Sequence, residues 1–359
     1  MQNNLEKLRV IRNITGMSNI QTSDDDIYQV SIEKSGTQFG VRENESVLAA
    51  ALRQHVMLSY SCRNGTCASC HGKVLTGDVH YPDQPPNALT AEQLDSNEAL
   101  FCQAVPKSDL TIQAREIDMI SDIPVKMLPA RVQSKDLLSP TVMRLRLALP
   151  KGKRLQFLAG QYLDILLPGG KRRAFSIASA PYFEDYIELH VRHVEGGDFT
   201  EYVFKDMQEK AIVRFEGPLG TFFLRENSRP ILMMAGGTGF APLKAMLEDL
   251  YFSGFKREVH LFWGARNASE LYLHDVAVGW AEKYTNLQYT GVVDEPNEHW
   301  QGSNGYVHKA LLEQYPDIQN YDVYMSGPPV MIDAARHDFL EAGLPEDQLF
   351  YDSFDFAPR

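Results

Sequence analysis

The chain has 359 residues, 44% of them hydrophobic, with 35 Lys and Arg against 47 Asp and Glu, a formal charge of −12 with histidines neutral. That length predicts two or three domains with cores large enough to need no covalent staples, and the acidic balance argues against nucleic acid as a partner. Four cysteines, Cys62, Cys67, Cys70 and Cys102, are too few for a disulfide scaffold.

The opening MQNNLEKLRVIRNITG lacks the apolar core of a signal peptide, and no run reaches the roughly 18–20 apolar residues of a membrane span. A cytoplasmic protein with no membrane partner is expected. Residues 1–24 read as an extension, in which Leu5, Leu8, Ile11 and Ile14 form a short helical stripe or a frayed tail. DIYQVSIE and TQFGVRE alternate as strands around a Lys-Ser-Gly turn, and NESVLAAALRQH reads as a helix capped by Asn44. The cysteine loop YSCRNGTCASCHGKV follows, then KVLTGDVHYP as a strand. Thr90 and Gln93 form a capping box that opens a helix before Cys102. SDIPVKMLPA, residues 121–130, reads as a linker between a domain at 25–120 and one at 125–226.

The second block is strand-rich (TVMRLRLALP, GQYLDILLP, RRAFSIASAP, YIELHVRHV, AIVRFEGPLG), a pattern that suggests a barrel or sandwich. From 227 to 359 strands alternate with helices, which argues for a doubly wound parallel sheet. Its first unit, PILMMAGGTGFAPLKAMLEDLYFSG, is a strand, a glycine turn and a helix with Leu243, Met246, Leu247 and Leu250 as the buried stripe and Gly254 as the stop.

The cysteines are spaced C-x4-C-x2-C, with the fourth 32 residues after the third. A zinc site usually takes two C-x2-C knuckles, and only one is present; zinc or a disulfide is the minor alternative. The spacing is that of a plant-type 2Fe–2S cluster. Gly65, Ala68, Ser69 and Gly72 let the backbone approach and aim amides at sulfide. Over residues 24–118 the chain resembles plant-type ferredoxins, which implies a β-grasp fold with Cys62, Cys67, Cys70 and Cys102 as cluster ligands.

RRAFSIAS, residues 172–179, resembles the R-x-[YF]-S signature of the ferredoxin–NADP reductase superfamily. That resemblance implies an antiparallel FAD-binding barrel in which Arg173 meets the pyrophosphate, Ala174 and Phe175 lie along the flavin, and Ser176 bonds near its reactive nitrogen. HVRHVEGGDFT resembles the second phosphate element. It implies that His190, Val191 and Arg192 border FAD, and that Gly197 and Thr200 open a helix whose amides face the phosphates. GGTGFAP resembles the nicotinamide-dinucleotide loop, with Gly236, Gly237, Thr238 and Gly239. SGPPVM resembles the loop beside the nicotinamide, with Ser326 in place of the family's cysteine and followed by Gly327. FYDSFDFAPR resembles members whose terminal aromatic covers the flavin, with Phe354 first and Phe356 second. The domain order resembles the reductases of bacterial multicomponent oxygenases and the CDP-6-deoxy-glucoseen reductases. FWGARNASELYL also resembles NAD(P)H–flavin reductases.

The implied function is transfer of hydride from NAD(P)H to FAD and of single electrons through the cluster to a redox partner such as an oxygenase or dehydratase component. The alternatives are a reductase of free flavin and a non-catalytic electron carrier. Arg266, with Glu270 and Asp275 near the nucleotide ribose, leads to an expected NADH preference.

Overall fold

The computed structural model describes residues 27–117, 123–254 and 256–354. The helical stripe predicted within residues 1–24, and Phe356, lie outside the described residues.

The first domain is a mixed five-stranded sheet in the order Gln38–Val41, Tyr28–Ile32, Leu110–Gln113, His71–Thr76, Glu98–Leu100. Tyr28–Ile32 and Leu110–Gln113 are parallel and the other neighbours antiparallel. The helix Val47–Arg53 lays Val47, Leu48, Ala50 and Ala51 on this sheet. Its cap is Ser46, not the expected Asn44: the Ser46 hydroxyl accepts the Ala49 amide at 3.2 Å. Asn44 instead takes the left-handed position of the preceding turn (φ 59°), which asparagine tolerates. The capping box of Thr90 and Gln93 is present.

The second domain is an antiparallel six-stranded barrel in the order Arg172–Ser176, Tyr162–Leu166, Ile212–Leu219, Lys126–Ser139, Val142–Ala148, Ile187–Arg192. A bridge between Ile177 and Leu189 closes it. The segment expected as a linker is a correction, because residues 126–130 begin the longest strand of the barrel. That strand pairs with Ile212–Leu219 through residues 126–131 and with Val142–Ala148 through residues 131–139. Pro129 lies where only one edge is bonded, so its missing amide costs no ladder bond.

The third domain is a parallel sheet in the order Ser303–Asn304, Leu287–Val293, Val259–Ala265, Ile231–Gly236, Asp322–Gly327, Leu349–Ser353. Ile231–Gly236 is buried throughout. Ile231, Met233 and Ala235 enter one core with the predicted stripe Leu243, Met246, Leu247 and Leu250, while Leu232 and Met234 enter a second with Leu311, Ile332 and Phe339. Alternate residues thus feed two faces, each covered by helices, which makes the sheet doubly wound. The strand order reverses between Ile231–Gly236 and Asp322–Gly327, so a crevice opens at their carboxyl ends.

Candidate functional site

The cysteine loop is irregular and coiled. Arg63, Gly65 and Ala68 all have left-handed backbones, with φ of 59°, 84° and 56°. Such residues, alternating with ordinary ones, turn successive amides inward and form a cradle for an anionic group. The Cys62 amide donates to Cys67 Sγ at 3.4 Å, and Thr66 Oγ1 donates to Cys62 Sγ at 3.5 Å. Cys102 follows the strand Glu98–Leu100, and the Gln103 amide group ties this turn to the Arg63 carbonyl at 3.1 Å.

The thiols are free and grouped in two pairs, Cys67 against Cys62 and Cys70 against Cys102. The contact with Cys67 lowers the Cys62 thiol to about 5. Among the described residues no three of these sulfurs lie within 4.8 Å of one another. A tetrahedral zinc with Zn–S near 2.3 Å would draw all four sulfurs to within about 4 Å. Two pairs suit two irons. Gly72 serves packing rather than the cradle, since a Cβ there would meet the Phe101 ring at 2.3 Å.

A cavity of about 640 Å³ opens beside this loop, and all three domains line it. Residues 61–64 come from the loop, residues 171–176 and 194–200 from the barrel, and Gly236, Thr238 and residues 352–354 from the third domain. Strand Arg172–Ser176 brings Arg173, Ala174, Phe175 and Ser176 to its wall, and Phe175 rests against Phe199 with ring centres 5.2 Å apart. Lys171 pairs with Asp198 at 2.7 Å and Arg172 with Glu216. Arg173 donates only to the Arg172 carbonyl (2.8 Å) and makes no ion pair among the described residues. It therefore keeps a cation for an incoming phosphate.

The helix Asp198–Lys205 is capped by Gly197. Thr200, expected to open it, lies inside its first turn. The Thr200 hydroxyl donates to the Val194 carbonyl at 3.0 Å and accepts the Val194 amide at 3.2 Å, bracing the glycine turn.

Strand Ile231–Gly236 runs into the turn Gly237–Gly239 and the helix Phe240–Phe252. A Cβ at Gly239 would fall 1.9 Å from the Ser326 carbonyl oxygen, so the close approach of the neighbouring strand requires glycine. The Phe354 amide donates to the Gly327 carbonyl at 2.9 Å, and Phe354 borders the cavity.

Asp352 stands where the three domains meet. One carboxylate oxygen accepts the Ser61 hydroxyl and the other the Ser176 hydroxyl, at 3.2 Å in the second case. Burial raises this carboxyl to about 6, against the pull of the two donors. The loop is further fixed by Tyr162 Oη donating to the Ser61 carbonyl (2.7 Å) and by Arg63 on Asp164 (2.6 Å).

The architecture matches three domain families: the 2Fe-2S iron-sulfur cluster binding domain over residues 30–107, the oxidoreductase FAD-binding domain over 129–224 and the oxidoreductase NAD-binding domain over 233–337. The chain is 39% identical over 325 residues to CDP-6-deoxy-L-threo-D-glycero-4-hexulose-3-dehydrase reductase of Yersinia pestis, covering 90% of this chain and 98% of that one. The chain belongs to the NAD(P)H-dependent iron–sulfur flavoprotein reductases. It is likewise 36% identical over 335 residues to the phenol 2-monooxygenase reductase component of Pseudomonas sp. strain CF600, covering 91% and 94%. The Amycolatopsis cytochrome P450 reductase superposes with a TM-score of 0.75 at 29% identity, over 92% of this chain and all of that one. The reductase uses a 2Fe–2S cluster, FAD and NAD(P)H. No helix among its described residues is long and apolar enough to cross a membrane.

Of the residues expected at the site, Val191, Gly237, Gly239, Arg266, Ser326 and Gly327 do not line the cavity of the reductase. Val191 is in the barrel core, and Arg266 is an exposed residue beyond strand Val259–Ala265. Ser326 is fully buried, with its hydroxyl unpartnered among the described residues. His190 borders the cavity but is also part of a buried network: Nδ1 meets Tyr272 Oη at 2.9 Å and Nε2 meets Glu188 at 3.1 Å. Burial holds His190 below its ordinary value. Burial opposes the charge of Glu188 too, yet the His190 hydrogen bond and Lys244 (3.2 Å) keep its carboxyl well below the usual range. Lys244 comes from the helix Phe240–Phe252, so this ion pair joins barrel and nucleotide domain. The sequence reading passed over Asp352, Ser61 and Tyr162. The first two sit inside motifs it quoted, YSC and YDS, beside the cysteine and aromatic that it weighed.

Proposed function

We propose that this reductase draws hydride from NADH into the three-domain cavity and delivers single electrons to a separate protein, an oxygenase or sugar-dehydratase component. One observation carries the reading: a single cavity is lined by the cysteine loop, the RRAFS strand and the end of the glycine turn. FAD takes up a hydride and releases electrons singly, and a 2Fe–2S cluster carries one at a time.

In this reading Arg173 and the amides of the Gly197 turn hold the pyrophosphate, Phe175 lies along the flavin, and Ser176 bonds its reactive edge. Phe354, at the border of the cavity, would cover the flavin. The crevice between Gly236 and Gly327 receives the dinucleotide. Preference for NADH rests on Glu270 and Asp275 in the segment after strand Val259–Ala265, with Arg266 its lone arginine. We place the protein in the cytoplasm, where NAD(P)H is supplied and thiols stay reduced.

The test is direct. Purified protein is given NADH or NADPH and presented with candidate oxygenase and dehydratase components. The reading expects a higher kcat/KM with NADH and reduction of one such component. Preference for NADPH would remove the assignment around Arg266, and rapid reduction of free flavin with no protein acceptor would replace the partner by a small molecule.

A further inference from the structure

We propose that Asp352 is a positioning residue that fixes the cysteine loop against the flavin cavity, so that the passage of electrons to the cluster depends on it more than the entry of hydride does. The inference rests on the electron-transfer reading above and names a residue that controls one of its steps.

Asp352 belongs to the last strand of the nucleotide domain, Leu349–Ser353, and is 5% exposed. Its two oxygens are divided. One holds the hydroxyl of Ser61, the residue before cluster ligand Cys62, and the other holds Ser176 on the barrel strand that lines the cavity. Ser61 and Ser176 are themselves 5% and 8% exposed. Electron transfer weakens with distance, so the coordinate that matters is the separation of loop and cavity. Asp352 spans that separation with two hydrogen bonds, and a carboxylate accepting from hydroxyls forms the stronger, charge-assisted kind. Tyr162 and Asp164 also line the cavity and hold the loop, but Asp352 is the contact that ties loop and barrel wall to the third domain at one carboxylate. The Tyr60 amide and carbonyl meet Thr221 Oγ1 at 2.9 and 3.0 Å, and Tyr162 and Asp164 anchor the loop to the barrel alone. At each passage the reduced flavin loses one electron and the iron pair gains one. No bond is made or broken, and Asp352 neither gives nor takes a proton in that balance.

The experiment compares Asp352→Leu and Asp352→Asn with the parent protein. Asparagine keeps an acceptor of the same shape; leucine keeps the branched outline with greater bulk and loses both bonds. Two readouts are taken. Hydrogen exchange of amides 58–66 is followed in the oxidised protein without nucleotide, and the ratio of cytochrome c to ferricyanide reduction is measured with NADH. Asp352→Leu is expected to speed exchange in the loop at least tenfold and to lower the ratio about tenfold, with Asp352→Asn restoring most of both. Cys102→Ser serves as a control. If that variant keeps the parent ratio, the electron-transfer reading itself fails. If the ratio requires the cluster but Asp352→Leu leaves both readouts at parent values, or asparagine restores neither, the role given to Asp352 is wrong.

Discussion

Cys102 makes the sharpest claim at the scale of single residues. It lies far from the other three thiols in sequence, yet its side chain meets Cys70 and its turn is tied to Arg63. Replacing Cys102 by serine exchanges a soft thiolate for a poor ligand at one iron while leaving the barrel wall untouched. The Cys102→Ser protein should therefore lose most of its iron and acid-labile sulfide but keep FAD in one-to-one ratio. Zinc in the parent protein, with no iron after anaerobic reconstitution, would contradict the assignment. Asp352 belongs to the same scale: a single carboxylate touches a serine from each of two other domains, and no local pattern announces it.

Among the elements, the strand Val259–Ala265 carries a titratable group that should be visible in stability. His260 is 4% exposed, with Nδ1 against Tyr315 Oη and Nε2 against Thr290 Oγ1, both at 2.8 Å. Burial lowers its pKa to about 4. The unfolded chain binds the proton near 6.5, so between these values the unfolded state carries more protons and stability falls as pH falls. The contribution is intact above about pH 6.5, declines toward 4 and is flat below. From pH 7.5 to 5.5 the loss should be about 1.3 kcal/mol by linkage from these two values. Trp263, Trp280 and Trp300 account for all three tryptophans and lie in the third domain, so urea unfolding followed by tryptophan fluorescence reports on it alone. His260→Gln should flatten the pH dependence by that amount; an unchanged slope would mean that His260 protonates within the fold.

At the scale of the whole molecule, the first domain keeps a core of its own, whereas Val142, Ala159 and Phe222 of the barrel pack into the core of the third domain; the first domain meets the rest through the cysteine loop, the small cluster of Ile117 and Phe223, and Arg115 over Phe350. A fragment beginning at residue 123 should fold, bind FAD and reduce ferricyanide with NADH at rates near the full chain. Its reduction of cytochrome c should fall at least tenfold, because the route from the cavity to a large acceptor has been removed. The full chain, with its charge of −12, should reduce the basic cytochrome more slowly as salt rises. Equal cytochrome rates for fragment and full chain would show that electrons leave by another exit.

Local patterns sufficed to read the domain order and the strand, glycine turn and helix that open the third domain, because these depend on periodic burial and on turns within a few residues, while the RRAFS strand was marked by its resemblance to a known motif and stands in the cavity wall. Ile231–Gly236 reads as a central strand for the same reason: every residue is apolar or glycine, and only a sheet covered on both faces can use that. Sequence failed where a residue's environment is supplied from far along the chain. Pro129 looks like a linker until Ile212–Leu219 pairs with one edge of its strand. Ser326 looks exposed to substrate until the turn at Gly239 packs on it. Asp352 looks like one acid in an aromatic tail until Ser61 and Ser176, 291 and 176 residues away, are folded against its two oxygens. Short-range preferences are written in the chain, whereas the partners of a buried polar group are chosen by the packing of whole domains.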